Sequence, residues 1–213
     1  MKKNRLGRLR ISLGFLTAFV LWTLAIRQLD VQAIGPKDST VGFATLNQFI
    51  HCLTGVNMTL YTITDWLSIV PLGFVLGFAC LGCLQWLQRK RLLAVDRNIL
   101  VLGCFYLAVM AIFLLFEVLI VNYRPVLIDG RLEASYPSST TMLVLTVIPT
   151  AVMQLNIRIK NAALKKVTTA TMIAFLLFMV LGRLVSGVHW FTDIIGGILL
   201  SAGLVAAYAA FAE

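Results

Sequence analysis

The sequence predicts an all-α integral membrane protein: a bundle of six transmembrane helices with an extra amphipathic helix at the membrane interface. Three observations predict it. Sixty per cent of the 213 residues are hydrophobic and 13% are charged, where a soluble domain carries about a quarter charged residues. Six apolar runs are each long enough, at about 1.5 Å per helical residue, to cross the roughly 30 Å hydrocarbon layer. The basic residues also collect in alternate connections, the pattern that cytoplasmic segments show.

The spans are expected at Ile11–Arg27, Leu67–Leu87, Asn98–Asn122, Ser138–Asn156, Val167–Val185 and Phe191–Phe211. The fourth is the shortest, and modest tilt or local thinning accommodates it. Residues 28–66 form the longest external loop. Within it Thr40 can cap a helix whose apolar residues Phe43, Leu46, Phe49, Ile50 and Leu53 recur every three or four positions, as in a helix lying on the bilayer surface. Its His51 reads as an interfacial residue rather than a catalytic one. The chain has no internal repeat, low-complexity linker or long hydrophilic stretch, so residues 1–213 read as a single membrane-embedded unit.

Of the 18 basic residues, five precede the first span, four follow the second and four follow the fourth. With two acids among them, these segments and both termini are expected to be cytoplasmic. The other five basic residues and seven acids fall on the extracytoplasmic side. The net charge of +9 therefore reflects topology and contact with anionic membrane lipids, not nucleic-acid binding. The basic start followed by an apolar run lacks a small-residue cleavage site, which reads as an uncleaved first helix. Of Cys52, Cys80, Cys83 and Cys104, three lie within spans and do not make a disulfide scaffold. The Cys80/Cys83 pair has no histidine or carboxylate nearby to complete a metal site, so no metal is expected. Gly73 and Gly77 form a GxxxG, a helix-packing pattern.

The topology brings NYRP (Asn122–Pro125), YPSSTT (Tyr136–Thr141) and GRLVSGVHWFTD (Gly182–Asp193) to the same face. Ionisable groups beside a membrane span are expensive and usually functional. A phosphate wants guanidinium forks, helix N-terminal amides and hydroxyls. Arg124 and Arg183 supply the forks, and Ser138, Ser139 and Thr140 open the fourth helix, where backbone amides are free. His189 is left as nucleophile. On a helix starting after Gly187, Asp193 would lie one turn away, within hydrogen-bonding reach, and fix the imidazole tautomer. This arrangement requires a chain break between Arg183 and His189, which Ser186-Gly187 can supply.

These segments, in this order and spacing, resemble the three-part signature of the type 2 phosphatidic acid phosphatase, or lipid phosphate phosphatase, superfamily: Lys-x6-Arg-Pro, Pro-Ser-Gly-His and Ser-Arg-x5-His-x3-Asp. The resemblance covers most of the chain from the second span onward. It implies a membrane enzyme that needs no cofactor and removes phosphate from a lipid such as phosphatidate, phosphatidylglycerophosphate or undecaprenyl diphosphate through a phosphohistidine. Arg124 and Arg183 would bind phosphate with help from Ser138, His189 would attack, and Asp193 would orient it.

The chain departs from this signature at several positions. Glu117 stands where the family has a phosphate-binding lysine, and Thr140 where it has the histidine that protonates the leaving oxygen. Ser139 replaces a glycine, and Gly182 a serine. A threonine hydroxyl does not supply a proton at neutral pH. A lipid monophosphate leaving from a diphosphate has a second pKa near about 6 and needs that proton less, so a polyprenyl diphosphate such as undecaprenyl diphosphate is the expected substrate. Glu117, kept protonated by partial burial, is a possible replacement acid or hydrogen-bond donor. Two further readings stay open: an impaired relative that binds or translocates lipid phosphates, and a lipid phosphotransferase.

Overall fold

The computed structural model describes residues 2–212, which form eight α-helices: α1 (Lys2–Gln28), α2 (Ala44–Thr54), α3 (Met58–Leu67), α4 (Ile69–Arg89), α5 (Arg97–Val118), α6 (Ser139–Arg158), α7 (Ala162–Val185) and α8 (Phe191–Phe211). Six stretches are long and apolar enough to span a membrane, with α3 and α4 together making the second, Met58–Arg89. Because the spans alternate in direction, the ends of α1, α5 and α7 meet the starts of α3, α6 and α8 at one end of the bundle.

The span with the lowest hydropathy is the innermost. In α6, 56% of the apolar window is buried, and in α8 50%, against at most 22% in the other four. Surrounding helices shield α6 from lipid, so it tolerates polar residues that satisfy themselves. Thr146 and Thr150 bond back to the carbonyls of Met142 (2.7 Å) and Thr146 (2.8 Å), and Gln154 donates to the Tyr208 hydroxyl at 2.5 Å. The most extensive pairing is α1 with α8. It closes on Gly203, whose carbonyl accepts from Ser12 Oγ at 2.8 Å and where an added Cβ would stand 2.8 Å from Leu16. Such close approach at a small residue is how helices associate where no hydrophobic effect drives them together.

Several boundaries differ from expectation. α1 starts nine residues before Ile11, since its basic first turns continue alongside the end of α8: Arg8 donates to the Ala209 carbonyl at 2.6 Å and Arg5 lies over the Phe211 ring. α5 ends at Val118 rather than Asn122. Residues 120–135 fold back as a small hairpin, with bridges Tyr123 to Ala134 and Ile128 to Arg131. α2 starts at Ala44, not after a Thr40 cap. Val41 is instead paired with Gln32 through two backbone hydrogen bonds of 2.9 and 3.1 Å, and Phe43 precedes the helix in a left-handed conformation. The face of α2 that docks carries Ala44 and Asn47, while Leu46, Phe49 and Leu53 are exposed, as in a helix whose apolar stripe meets lipid. Gly73 and Gly77 have no neighbour within the described chain for an added Cβ to meet, so their GxxxG does not pack the bundle.

The largest difference is α3, a helix in what reads as loop. Asn57 caps it by accepting from Leu60 N at 2.9 Å, and Asn57 N donates to the Ser186 carbonyl at 2.9 Å, which ties its start to the end of α7. α3 lies against α7 at Gly182, where an added Cβ would stand 2.8 Å from Thr64 Cγ2. The Thr64 rotamer is held by hydrogen bonds from its hydroxyl to the Leu60 and Tyr61 carbonyls, both 2.9 Å. Gly182 in place of the expected serine is thus matched to a close α3. Gly182→Ser is expected to cost about 1–3 kcal/mol, read as a lowered midpoint of thermal unfolding in detergent.

Candidate functional site

The two arms of the α5–α6 hairpin carry neighbouring parts of the site. Backbone bonds from Arg124 N to Glu133 O (3.1 Å) and from Ser135 N to Asn122 O (2.9 Å) fix their register, so Arg124, Asn122 and Ser135 come together. From the other side, α7 ends at Val185 and the chain breaks at Gly187, whose φ of +66° suits glycine. A Cβ there would also run into the Gly55 backbone. The expected break between Arg183 and His189 is present. It turns His189 back toward Arg183, and their side chains meet.

His189 Nε2 lies 3.2 Å from Arg124 Nη1 and 3.4 Å from Arg183 Nη2. Both guanidiniums are buried, Arg183 to 1% exposure. Acids at the rim partner them: Glu133 Oε2 is 3.1 Å from Arg124 Nε, and Asp65 Oδ1 is 3.7 Å from Arg183 Nη1. Tyr61 of α3 presents its ring to both, with Arg183 Cζ at 4.7 Å and Arg124 Cζ at 5.9 Å from the centroid. Ser138 Oγ, fully buried, and Arg183 Nε have no hydrogen-bond partner among the described residues.

One expectation needs correction. His189 and Asp193 do not share a helix: α8 starts at Phe191, and Asp193 caps it by accepting from Trp190 N at 3.0 Å. The Nδ1 to Oδ2 distance is 4.0 Å, too long for a hydrogen bond. Ser135 fills the gap, its Oγ 3.0 Å from His189 Nδ1 and 2.5 Å from Asp193 Oδ2. Asn122 Nδ2 donates to Asp193 Oδ1 at 3.1 Å, and Trp190 Nε1 donates to the Tyr123 carbonyl at 2.8 Å, pinning the start of α8 to the NYRP segment.

A small pocket of about 30 Å³ opens on His189, Arg124 and Ser135, and Glu117 and Ser139 line it too. Glu117 is therefore at the edge of the site, but it is exposed and not partly buried as expected, because α5 ends one residue beyond it. Thr140 faces a different space, a cavity of about 320 Å³ bounded also by Asp65, Ser68, Tyr106 and Phe113. Through Val75, Tyr106 and Met110 this adjoins an apolar cavity of about 510 Å³ that reaches Trp86 and Leu92. From Ser68 to Trp86 along α4 is about 27 Å. His51 lies against Trp190, the ring centroids 5.5 Å apart and the planes tilted by 57°.

Burial holds the His189 pKa well below its ordinary value, and Arg124 and Arg183 lower it further, so the ring is neutral. The unfolded chain takes a proton that the folded one resists. Stability from this source is present above about pH 6.5 and is lost as pH falls from there toward the folded value. With two histidines in the chain, NMR titration resolves the point. The His189 ring signals, assigned by comparison with His51→Ala, are expected to show no titration step near about pH 6.5.

The membrane bundle thus brings two buried guanidiniums onto a neutral imidazole at one end of the spans. The chain belongs to the PAP2 superfamily, whose profile matches residues 100–213. Among solved structures, it is similar to the crystal structure of a transmembrane PAP2-type phosphatidylglycerolphosphate phosphatase from Bacillus subtilis. The match has a TM-score of 0.63 at 18% identity and covers 94% of this chain and 95% of that one. No curated protein matches. The matched profile starts within α5, so α3, with Tyr61, Thr64 and Asp65, lies outside it.

Sequence reasoning missed Ser135, Asn122 and Tyr61. Ser135 adjoins the hydroxyl-rich turn that drew attention, one residue before it. Asn122 sits within the NYRP segment. Tyr61 had no local signal, because only the docking of α3 on α7 brings it to the arginines.

Proposed function

We propose that the protein is a lipid phosphatase acting on a polyprenyl diphosphate, with undecaprenyl diphosphate the representative substrate. The observation that carries this reading is His189 Nε2 set between the Arg124 and Arg183 guanidiniums at 3.2 and 3.4 Å. Arginine forks bind phosphate oxygens bidentately, so a terminal phosphoryl group held by both presents its phosphorus to Nε2. The nitrogen attacks, the bond from phosphorus to the bridging oxygen breaks, and its electron pair leaves with the lipid monophosphate. Water then cleaves the phosphorus–nitrogen bond, releasing phosphate and restoring the imidazole.

The choice of lipid rests on two features. Thr140 supplies no proton, which suits a leaving group that needs none. The adjoining cavities follow α4 for about 27 Å, nearly the full hydrocarbon thickness of about 30 Å. An acyl chain anchored in one leaflet reaches only the midplane, whereas a long isoprenoid tail fills such a slot. The distribution of basic residues favours cytoplasmic termini and a site on the extracytoplasmic side.

A second reading, a relative that binds lipid phosphates without turning them over, is favoured by Thr140 and by Glu117 at the pocket. The test is phosphate release by the purified, detergent-solubilised protein from undecaprenyl diphosphate and phosphatidate in parallel, with His189→Ala as control. Release that depends on His189 supports the phosphatase. Binding without release from either lipid supports the second reading.

A further inference from the structure

We infer that Ser135 is a positioning residue that links Asp193 to His189, its hydroxyl accepting from the imidazole Nδ1–H, so that the carboxylate acts on the ring through a hydroxyl and not by direct contact. The inference rests on the phosphatase reading for its catalytic meaning and on geometry alone for its structural content.

A serine hydroxyl has one proton to donate and lone pairs to accept with, and an ionised carboxylate only accepts. Ser135 Oγ touches both Asp193 Oδ2 (2.5 Å) and His189 Nδ1 (3.0 Å). The proton goes to the carboxylate, so the oxygen accepts from Nδ1–H. The other side of the ring reaches the same answer independently. Guanidinium nitrogens donate and do not accept. Nε2, facing Arg124 Nη1 and Arg183 Nη2, must therefore carry the lone pair. Both ends of the ring specify one tautomer, with Nδ1 protonated and Nε2 free to attack.

Asp193 is held for this task. Asn122 Nδ2 and Trp190 N donate to it at 3.1 and 3.0 Å, leaving the bond from Ser135 as its connection to the ring. When Nε2 bonds to phosphorus, the ring becomes cationic and Nδ1–H a stronger donor. Ser135 accepts it more tightly while donating to the carboxylate, so the charge is stabilised through the hydroxyl across the 4.0 Å gap. Ser135 is itself 3% exposed, so water does not readily replace its hydroxyl.

The test is nitrogen-15 NMR of the full-length protein labelled at histidine, in detergent, with His51→Ala to assign the signals. The expected wild-type spectrum has Nδ1 protonated and Nε2 bare. Ser135→Ala is expected to shift the Nδ1–H signal, which loses its hydroxyl acceptor while the arginines keep Nε2 bare, and to lower kcat by about 100-fold, the scale of a misplaced reacting group, with KM little changed. Ser135→Thr, which keeps the hydroxyl, is expected to restore the wild-type spectrum. A wild-type ring protonated on Nε2 overturns the inference without any variant, so it does not depend on Ser135→Ala folding. An unshifted Nδ1–H signal in a folded Ser135→Ala also overturns it. The spectrum needs no turnover: the expected spectra without phosphate release leave the link standing and remove the phosphatase reading, whereas His189-dependent release with an Nε2-protonated ring does the reverse.

Discussion

His189→Ala is expected to bring phosphate release down by at least about 10⁴-fold, the scale on which sites that act as a unit lose activity with their nucleophile, while lipid-phosphate binding persists. The two outcomes separate because the two jobs belong to different groups. On the proposed reading binding falls to Arg124 and Arg183, which are anchored independently of the imidazole: Arg124 by its hairpin and Glu133, Arg183 by Thr64, Asp65 and the Tyr61 ring. On that reading attack falls to Nε2 alone. Phosphate release and equilibrium binding of a labelled lipid diphosphate, measured on one preparation, check both halves. Release retained in the variant would mean that water attacks directly, and it would remove the phosphohistidine route.

What the sequence made legible is what periodicity and charge encode. Long apolar runs report lipid contact directly, and five of the six spans end or begin within a few residues of expectation at the site end. The hidden part was contact between segments far apart in the chain. α3 reads as loop because Thr59, Thr62, Thr64 and Asp65 give it the polarity of one. Thr62 and Thr64 turn their hydroxyls back onto the helix, to Met58 O and Leu60 O, both at 2.9 Å. Their polarity is spent locally and the helix persists. α6, the shortest of the six spans, has the lowest hydropathy for a related reason, since more of it is buried than of any other span.

The same distinction runs through the site. Arg124, Arg183, His189 and Asp193 are visible in a sequence because charged residues beside a span are costly to keep there. Ser135 and Asn122 are cheap residues at a membrane edge and carry no such mark. The spacing of His189 and Asp193 suggested one helical turn and a direct bond. The break at Gly187 and the start of α8 at Phe191 shift that geometry by a few ångströms, enough to admit a hydroxyl between them.

The leaving group is expected to decide which lipids are turned over. A phosphatase whose acid is missing loses on the order of 100- to 10,000-fold on substrates that need protonation. Phosphatidate must release a strongly basic alkoxide, whereas a lipid diphosphate releases a phosphate monoester whose second pKa lies near about 6. The ratio of kcat/KM for undecaprenyl diphosphate over phosphatidate is therefore expected to lie in that 100- to 10,000-fold range. Thr140 does not restore the proton, since a threonine hydroxyl is no acid at neutral pH and Thr140 lines the neighbouring cavity and not the pocket at His189. Glu117 does line that pocket, and Glu117→Ala tests whether it donates in the histidine's stead. The expected result is a further fall in the residual phosphatidate turnover with diphosphate turnover little changed, because only the alkoxide needs the proton. Equal loss on both lipids would instead mark Glu117 as part of phosphate binding, and no change on either would leave it a pocket wall. A diphosphate preference that disappears when phosphatidate is replaced by an aryl phosphate with a good leaving group would tie the selectivity to proton demand. A preference that survives that replacement would place it in the long apolar slot beside α4.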